Sequence, residues 1–324
     1  MPWPRLFAWL YVRGRVVLLA CLAGLLLPLL APCLRALTGE SAPTLFWLLD
    51  LAVHWQWLYG LGLVLILPLL ACRHRAWLLC LPALALPGLT AAPAAPKADS
   101  GPMLHMAVAN VHFSTRTTAR LQPWLAAEQP DVLVLLEVSP ALAGELAKLD
   151  QFPHQVLHAE DGPFGIALLS RHALHDARIV AGEDGIAHIE AGLMLAGQRV
   201  QLLAFHPMPP LSAAYQQMRD RKLQQLIAAA GSRPAVLAGD LNASPWSSAM
   251  QALEGTGWRR ASSLAPTWPH WGLGVVGIPI DQVLASSAWG VESRRIGAAL
   301  GSDHLPVSVR LRLRRPEVAA AGAN

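Results

Sequence analysis

A charge-free apolar run near the N-terminus constrains this chain more than any other feature. Residues 16–34 contain no charged side chain and consist mostly of Leu, Val and Ala. A helix of about 20 apolar residues is long enough to cross a bilayer. Two further apolar runs follow, over residues 51–72 and 76–94, with Arg73 and Arg75 between them. The chain up to residue 96 therefore predicts a membrane region with two or three transmembrane helices.

The first run has a second interpretation, as a cleaved signal peptide. Arg13 and Arg15 stand just before it, and Leu30 to Cys33 resembles a lipoprotein processing site with a poorly fitting Pro32. The two later runs would still hold the chain in a membrane after such a cleavage.

Basic residues predict how the helices are oriented, because loops rich in Lys and Arg stay on the cytoplasmic side. Residues 5–15 would lie inside, the loop near Arg35 and Glu40 outside, and residues 73–75 inside again. Three spans place everything after residue 97 outside the cytoplasm, whereas two spans place it inside. We favour three, which predicts a multi-pass protein of the inner membrane with an extracytoplasmic C-terminal domain.

Charge and cysteine content divide the chain at the same point. The residues before position 97 include six basic and two acidic side chains, and those from 97 onward include 19 of each sign. The net charge of +4 therefore belongs to the membrane region and fits its orientation, although a basic chain would otherwise suggest nucleic acid. All four cysteines also lie before residue 97, so the C-terminal domain is neither a disulfide scaffold nor a cysteine enzyme.

Two ionisable residues, Asp50 and His54, lie one helical turn apart near the start of the second apolar run. Ionisable residues inside a membrane are functional suspects. However, Trp55, Trp57 and Tyr59 nearby are typical of the aromatic belt at a membrane interface. We therefore interpret Asp50 and His54 as the solvated outer end of a helix.

The C-terminal part predicts an α/β domain over residues 103–315, between a linker at 97–102 and a tail at 316–324. Period-two apolar patterns predict strands, some of them in hairpins, and amphipathic stretches between them predict helices. Hairpins mixed with helices favour two sheets flanked by helices over one doubly wound sheet. The predicted strands cover 103–111, 132–136, 165–169, 185–190, 192–195, 199–205, 234–239 and 307–313, and the helices cover 119–128, 139–149 and 211–230.

The most informative stretch of this domain ends a predicted buried strand. Four apolar residues lead into Gly239, and Asp240 and Asn242 then stand two residues apart. In a strand that spacing puts both side chains on one face. The same pattern also occurs in ordinary turns, so it needs support from the rest of the chain.

Other polar residues recur at the ends of apolar strands, namely Asn110, Glu137, His206, Asp281 and Ser302-Asp303-His304. Each alone is explained equally well as a turn residue, a solvated strand end or a surface pair. Together and in this order, they resemble the endonuclease/exonuclease/phosphatase (DNase I-like) superfamily. The matching pieces are Ala109-Asn110-Val111, Leu136-Glu137, Phe205-His206-Pro207, Gly239-Asp240-Leu241-Asn242, Ile280-Asp281 and Gly301-Ser302-Asp303-His304-Leu305-Pro306.

The resemblance covers essentially all of residues 103–315 and is nearest to the bacterial membrane-tethered branch. In that branch a His-Pro-x-Pro-Pro motif leads into a helix with Arg-Asp-Arg, as do residues 206–210 and 219–221 here. One departure is Gln282, where the family usually has His. The resemblance implies a four-layer α/β/β/α sandwich preceded by transmembrane helices, with a site at one end of the two sheets.

The resemblance also implies the chemistry. Mg²⁺ or Mn²⁺ would be the cofactor, because such ions prefer hard oxygen ligands, and the implied ligands are Glu137, Asn110 and Asp303. The implied catalytic residues are His206, Asp240, Asn242, Asp281 and His304. Asp240 and Asn242 would position water and a phosphoryl oxygen, and His206 would contact a non-bridging oxygen. His304, held by Asp281, would act as a base or as a charged phosphate clamp.

The implied function is a membrane-anchored phosphoesterase that hydrolyses a phosphodiester or phosphomonoester, including a lipid-linked one, by in-line attack of water. A nuclease of the cell envelope is the alternative, which the balanced charge disfavours because duplex DNA needs basic surfaces. A non-catalytic envelope binding protein would not need the whole residue set. The loop 266–272, with Trp268 and Trp271, predicts either a lip over the site or an edge of the core. The sequence contains no signal for an oligomeric state.

Overall fold

The computed structural model describes residues 3–38, 42–182, 185–272 and 274–314. Glu40 and the predicted tail lie outside these residues. The N-terminal part is helical, in agreement with its apolar runs. Its helices are α1 (Trp3–Thr38), α2 (Pro43–Val53), α3 (Gln56–Ala71), a 3-10 helix (Arg75–Ala85) and α4 (Leu86–Thr90).

Helix α1 matches the first predicted span. Its segment Ala8–Leu37 contains an 18-residue window with a mean hydropathy of 2.5 and is long and apolar enough to cross a bilayer. Helices α2 and α3 meet the same criteria only as a pair, and they are bent by 59° where they join. Length and composition therefore allow one crossing, or two if the bent pair forms a single span.

The third predicted span, over residues 76–94, contains no helix of spanning length. The 3-10 helix covers its first half, and α4 adds only five residues. Pro82 and Pro87 each lack the amide hydrogen that a continuous α-helix would use at that position. The extracytoplasmic placement of the C-terminal domain depended on this third crossing and loses its structural support.

The predicted two-sheet sandwich is confirmed. Two six-stranded sheets have the spatial orders β11-β12-β1-β2-β4-β3 and β5-β6-β7-β8-β10-β9. Both are mixed, since β2 lies parallel to β1 and β8 lies parallel to β7. The strands are β1 (Met103–Asn110), β2 (Val132–Leu136), β3 (His154–His158), β4 (Ile166–Ser170), β5 (Leu174–Ala181), β6 (Ala187–Leu195), β7 (Gln198–Ala204), β8 (Ala235–Asp240), β9 (Arg259–Arg260), β10 (Asp281–Ala285), β11 (Trp289–Ile296) and β12 (Val307–Leu313).

Three apolar cores hold the layers together. The core between the sheets contains fully buried side chains such as Val108, Leu136 and Val283. A second core lies beneath the helices that cover the first sheet, and a third beneath those that cover the second. The covering helices are α5 (Leu121–Glu128) and α6 (Pro140–Leu146) on the first sheet and α7 (Ala213–Ala230) and α8 (Ser248–Gln251) on the second. This is the predicted α/β/β/α order.

Local sequence signals placed some boundaries well and others poorly. The Ser139 hydroxyl caps α6 by accepting a hydrogen bond from the Leu142 amide at 3.3 Å, and Gly197 turns β6 into β7 with a φ of 80°. The two strands predicted over residues 185–195 form one strand, β6. Strand β5 was not predicted, because its largely exposed surface removes the apolar alternation on which the prediction depends.

The segment from Ala92 to Ala98, which joins the third predicted span to the predicted linker, is docked along the edges of both sheets. The Ala95 amide donates to the Arg260 carbonyl of β9 at 2.8 Å, and the Ala98 amide donates to the Val291 carbonyl of β11 at 3.1 Å. Ala92 and Ala95 are buried in the cores of the sandwich. The segment is therefore an ordered part of the domain that connects it to the membrane region.

Gly239 lets β8 pass close to the end of β7. A Cβ atom at this position would lie 1.7 Å from the Phe205 carbonyl oxygen, which is backbone and has little freedom to move. We expect Gly239→Ala to lower the free energy of unfolding by about 3 kcal/mol, the upper range for overpacking. Gly144→Ala is the matched control, since an added Cβ in α6 meets nothing within 4 Å. Equal thermal unfolding midpoints for the two purified variants would contradict this packing.

Candidate active site

The candidate site lies where both sheets present the same end of their central strands. Asn110 ends β1, Glu137 follows β2, His206 follows β7 and Asp240 ends β8. Strand β10 runs antiparallel to β8, and its first residue, Asp281, pairs with Asp240. The loop before β12 brings Asp303 and His304 to this end, because β12 is antiparallel to β1. The fold therefore brings all eight predicted site residues to one end of the sandwich.

Asn110 and Glu137 form one side of the site. The Asn110 amide donates to Glu137 Oε1 at 2.9 Å and reaches Asp240 Oδ2 at 3.4 Å. The backbone amide of Phe113 donates to Glu137 Oε2 at 3.0 Å, and that of His112 donates to Asn110 Oδ1 at 3.0 Å. Both side chains are held in one orientation before any ligand binds.

His304 lies between two carboxylates on the other side. Its Nδ1 bonds to Asp281 Oδ2 at 2.9 Å, and its Nε2 lies 3.7 Å from Asp240 Oδ2. Burial disfavours the charged imidazolium, but the carboxylates of Asp281 and Asp240 outweigh it and raise the pKa of His304 to about 10. The imidazole is therefore a cation at neutral pH, and of the two roles open at the sequence level this favours the phosphate clamp over the base.

His206 and Asn242 complete the centre. His206 is buried, its Nε2 lies 3.7 Å from Asp240 Oδ2, and its ring packs against Phe164. The Asn242 backbone amide donates to Asp240 Oδ1 at 2.9 Å, and its side-chain amide donates to the Pro207 carbonyl at 3.1 Å. Asn242 is outside the strand, so it reaches the site through a turn and not through the shared strand face that its spacing suggested.

Asp303 lies at the exposed rim. Its Oδ2 accepts a hydrogen bond from Trp268 Nε1 at 2.9 Å. Partial burial favours the neutral carboxyl, but this hydrogen bond and the charge of His304 outweigh it and lower the pKa of Asp303. No direct hydrogen bond joins Asp303 to Asn110 or Glu137 among the described residues. Trp268 is thus part of the site, and Trp271 is 68% exposed beside it, so neither indole only fills the edge of the core.

Two residues of the site adopt backbone conformations that residues other than glycine rarely adopt. Glu137 has a φ of 62° and Asn242 a φ of 49°. Non-glycine residues in this left-handed region cost free energy and cluster at functional sites. Side-chain chemistry, and not backbone preference, therefore explains why these positions are not glycine.

Among the described residues, no Lys or Arg pairs with the acidic groups of the site. The ion-pair partners of Asp240 and Asp281 there are His206 and His304 alone, and Glu137 has none. Asp240, Asp281 and His304 lie close enough to share a cation, but a protonated His304 offers it no lone pair, whereas the carboxylates of Glu137 and Asp240 both contact the Asn110 amide. Clustered carboxylates with an amide oxygen beside them are the hard donor set that a divalent cation prefers. The residues present therefore fit a divalent metal.

The membrane region forms one wall of the cavity over this centre. The cavity has a volume of about 510 Å³, and its lining includes Leu51, His54 and Trp55 together with His206 and His304. Much of the remaining lining is apolar and comes from Phe164, Pro209, Pro210, Leu211, Ile278 and Ile280. The sequence does not indicate this contribution, because composition and charge divide the chain near residue 97 into two apparently separate units.

The interpretation of Asp50 and His54 as a solvated helix end is wrong. Their exposed fractions are 5% and 4%, and both contact the C-terminal domain. Asp50 Oδ1 accepts from the Ser248 amide at 2.6 Å, and His54 Nδ1 accepts from the Ser244 amide at 3.2 Å. Two ionisable residues one helical turn apart in an apolar run are the feature of the sequence that could have indicated this contact.

Gln282, the one departure from the family pattern, points away from the site. Its Nε2 donates to the Pro279 carbonyl at 2.6 Å, and its Oε1 accepts from the Ser262 hydroxyl. Gln282 is fully buried, so these bonds satisfy a polar side chain inside the domain. The substitution leaves the geometry of Asp281 and His304 intact.

Comparison with known proteins decides the family. A model described as the Endonuclease/Exonuclease/phosphatase family matches residues 107–304, which contain all eight site residues. This chain belongs to that family. The endonuclease/exonuclease/phosphatase family generally comprises hydrolytic phosphoesterases and nucleases. No curated protein matches the sequence.

Solved structures share the endonuclease/exonuclease/phosphatase fold with this chain. An endonuclease/exonuclease/phosphatase from Beutenbergia cavernae DSM 12333 has a TM-score of 0.55 at 22% identity, covering 67% of this chain and 73% of that one. TDP2 from D. rerio, complexed with a single strand DNA product, has a TM-score of 0.54 at 18% identity, over 66% and 100%. The human Nocturnin catalytic domain with bound sulfate has a TM-score of 0.50 at 17% identity, over 67% and 96%. At these identities the similarity shows the fold alone.

Proposed function

We propose that this protein is a membrane-anchored, divalent-metal-dependent phosphoesterase that hydrolyses a lipid-linked phosphate ester. The observation that carries the proposal is the cavity of about 510 Å³ with the His304 cluster on one side and the membrane-region residues Leu51 and Trp55 on another. A phosphate group fits the polar side, and an apolar group fits the wall that continues into the membrane region.

Glu137 and Asn110 would hold the metal, Mg²⁺ or Mn²⁺, with Asp303 at the rim orienting its remaining ligands. When bound, the metal would neutralise charge on the phosphoryl oxygens and help the leaving oxygen depart. The Phe113 amide and the Asn110 side chain fix the Glu137 carboxylate, so little rearrangement is needed on binding. Fixed ligands lower the cost of assembling the site.

Asp240 and Asn242 would position the attacking water in line with the leaving group. The cationic His304, held by Asp281, would clamp a phosphoryl oxygen, and the buried His206 would contact a non-bridging oxygen where charge develops. Asp240 lies within 3.7 Å of both imidazoles, so it is the carboxylate nearest to a water bound between them. We therefore propose Asp240 as the group that takes the proton from water.

The membrane anchor would consist of α1 together with the bent α2–α3 pair. Many large apolar side chains on these helices face outward, including Val16, Leu19 and Leu65, which are 64%, 62% and 69% exposed. Such surfaces fit lipid better than water. Nucleic acid is a less suitable substrate, because the apolar cavity lining and the balanced charge of the domain provide no basic track for a phosphate backbone.

The test is hydrolysis by the full chain in detergent, with Mg²⁺, Mn²⁺ or EDTA. We expect metal-dependent turnover of an aryl phosphodiester or phosphomonoester, and a higher kcat/KM for an ester with a long acyl chain. Leu51→Gln should reduce the long-chain preference about tenfold, as expected when apolar contact is lost. Leu48→Gln on the outer face of α2 is the matched control, since Leu48 is half exposed.

The outcomes separate the alternatives. Equal kcat/KM for short and long esters, unchanged in Leu51→Gln, would refute the lipid-linked substrate while leaving the enzyme class intact. Preferential cleavage of DNA would identify a nuclease. No metal-dependent turnover of any phosphate ester, with the chain folded, would refute the enzyme and favour a binding role.

A further inference from the structure

The loop that carries Asn242 is held from both sides by buried polar groups. On one side Asp50 and His54, at the junction of α2 and α3, accept hydrogen bonds from the backbone amides of Ser248 and Ser244. On the other side Arg219 of α7 donates to the Asn242 carbonyl at 2.6 Å. The loop therefore depends on two separate elements for its conformation.

Arg219 connects these elements into one network. Its Nη2 donates to Asp50 Oδ2 at 3.0 Å, and its Nε donates to Asp220 Oδ1 at 2.8 Å. The Arg219 side chain is 1% exposed and that of Asp50 is 5% exposed, so water does not screen their interaction. The planar guanidinium binds three acceptors at fixed angles, and this fixes the Asn242 carbonyl relative to Asp50.

Asn242 transmits this constraint to the catalytic centre. Its backbone amide donates to Asp240 Oδ1, and its carbonyl, on the other side of the same Cα, accepts from Arg219, so a displacement of residue 242 would disturb both contacts and the Asp240 carboxylate. Asn242 already has a φ of 49°, a conformation that needs support from its surroundings. Loss of the Arg219 or Asp50 contact would let the loop relax and misalign Asp240.

We propose that Asp50, a residue of the membrane region, is a positioning residue that acts through Arg219 and the loop 242–248 to hold Asp240 and Asn242 in their catalytic arrangement. The inference rests on the proposed phosphoesterase function but concerns a different part of the molecule. The membrane region then belongs to the catalytic unit, in addition to anchoring it. Asp50 touches neither the metal ligands nor the cavity, so its effect on catalysis is indirect.

The decisive variant is Asp50→Asn in the full chain, in detergent, with a small soluble aryl phosphoester that does not reach α2. We expect kcat to fall about 10- to 100-fold, as for other orienting residues, with KM changed less than about twofold. The kcat of Arg219→Lys should fall by a similar factor. The kcat of the double variant should be no lower than that of either single variant, because both changes break one network. Asp50→Glu should restore part of the lost kcat.

Gln56→Leu is the matched control. Gln56 is a fully buried polar residue of α3 that donates to the Gly24 carbonyl inside the membrane region and does not contact the loop. It should retain the kcat of the wild type. A wild-type kcat in Asp50→Asn, or an equal fall in Gln56→Leu, would overturn the inference.

Hydrogen–deuterium exchange separates this inference from the proposed function. The amides of Ser244 and Ser248 should exchange faster in Asp50→Asn than in the wild type and in Gln56→Leu, since exchange needs no turnover. If the wild type hydrolyses no phosphate ester, the proposed function fails and exchange alone decides whether Asp50 holds the loop. Unchanged exchange in Asp50→Asn would overturn the positioning role in either case.

Discussion

The Glu137→Gln variant is expected to fold normally and to lose at least about 99% of the wild-type kcat on any phosphate ester, as when a main charge-stabilising group is removed. Gln has nearly the same shape, but its single carbonyl oxygen can accept only one of the two hydrogen bonds that Asn110 and Phe113 donate to the Glu137 carboxylate. The negative charge is also lost, and this charge would bind the metal most strongly. Excess Mn²⁺ should restore part of the activity if metal affinity is the main loss.

Glu145→Gln controls for the removal of a carboxylate elsewhere. Glu145 lies on α6 and pairs with the exposed Lys148, and such surface pairs contribute little. It should have the kcat and metal dependence of the wild type. Thermal unfolding in EDTA should give similar midpoints for both variants. A Glu137→Gln protein with full turnover would remove Glu137 from the site.

His304→Gln should lower kcat about 10²- to 10³-fold, the usual effect of removing a group that stabilises developing charge. The imidazolium lies between Asp281 and Asp240, and a neutral amide cannot replace its charge. Asp281→Asn should also lower kcat, but less, because its carboxylate acts through His304 and does not touch substrate. Equal kcat for wild type and His304→Gln would exclude the clamp.

The same residue makes stability depend on pH in a direction that can be checked without substrate. The folded pKa of His304 is raised from 6.5 to about 10, so its ion pairs contribute fully below pH 6.5 and are lost as the pH rises towards 10. In EDTA, the unfolding midpoint of the wild type should fall over this range more than that of His304→Gln. Parallel curves for the two proteins would contradict the raised pKa.

The strand-end residues explain why so much of the site could be predicted. Asn110 ends β1, Glu137 follows the parallel neighbour β2, and Asp240 ends β8 of the other sheet, so polar residues at the ends of buried apolar strands indicate the site in both sheets. The order of these polar residues along the chain then matched that of the endonuclease/exonuclease/phosphatase family. Asn242 lies at the same end of the sandwich as the other predicted site residues, but not on the strand face that its spacing suggested, because a left-handed residue after a strand leaves no mark in hydrophobic periodicity.

The contribution of α2 and α3 could not be predicted in the same way. Leu51, His54 and Trp55 approach the site through tertiary packing, and no periodic pattern links residue 50 to residue 219. The indole N–H of Trp57, which suggested a membrane interface, donates to the Leu264 carbonyl of the domain, and that of Trp47 donates to the Pro210 carbonyl. An apolar helix with aromatic residues has the same composition whether those residues lie at a membrane interface or contact the domain.

The segment from Ala92 to Ala98 pairs with two edge strands, β9 and β11, each of which has only one neighbour within its own sheet. Unpaired edges are templates for pairing with another chain. A fragment that starts at residue 97 would uncover the β9 edge, lose the hydrogen bond from the Val291 amide of β11 to the Pro96 carbonyl, and remove Ala92 and Ala95 from their cores, so it should aggregate. A fragment that starts before Ala91 keeps both edges covered and should not aggregate. Self-association of the shorter fragment alone would therefore show that this segment caps the sheet edges.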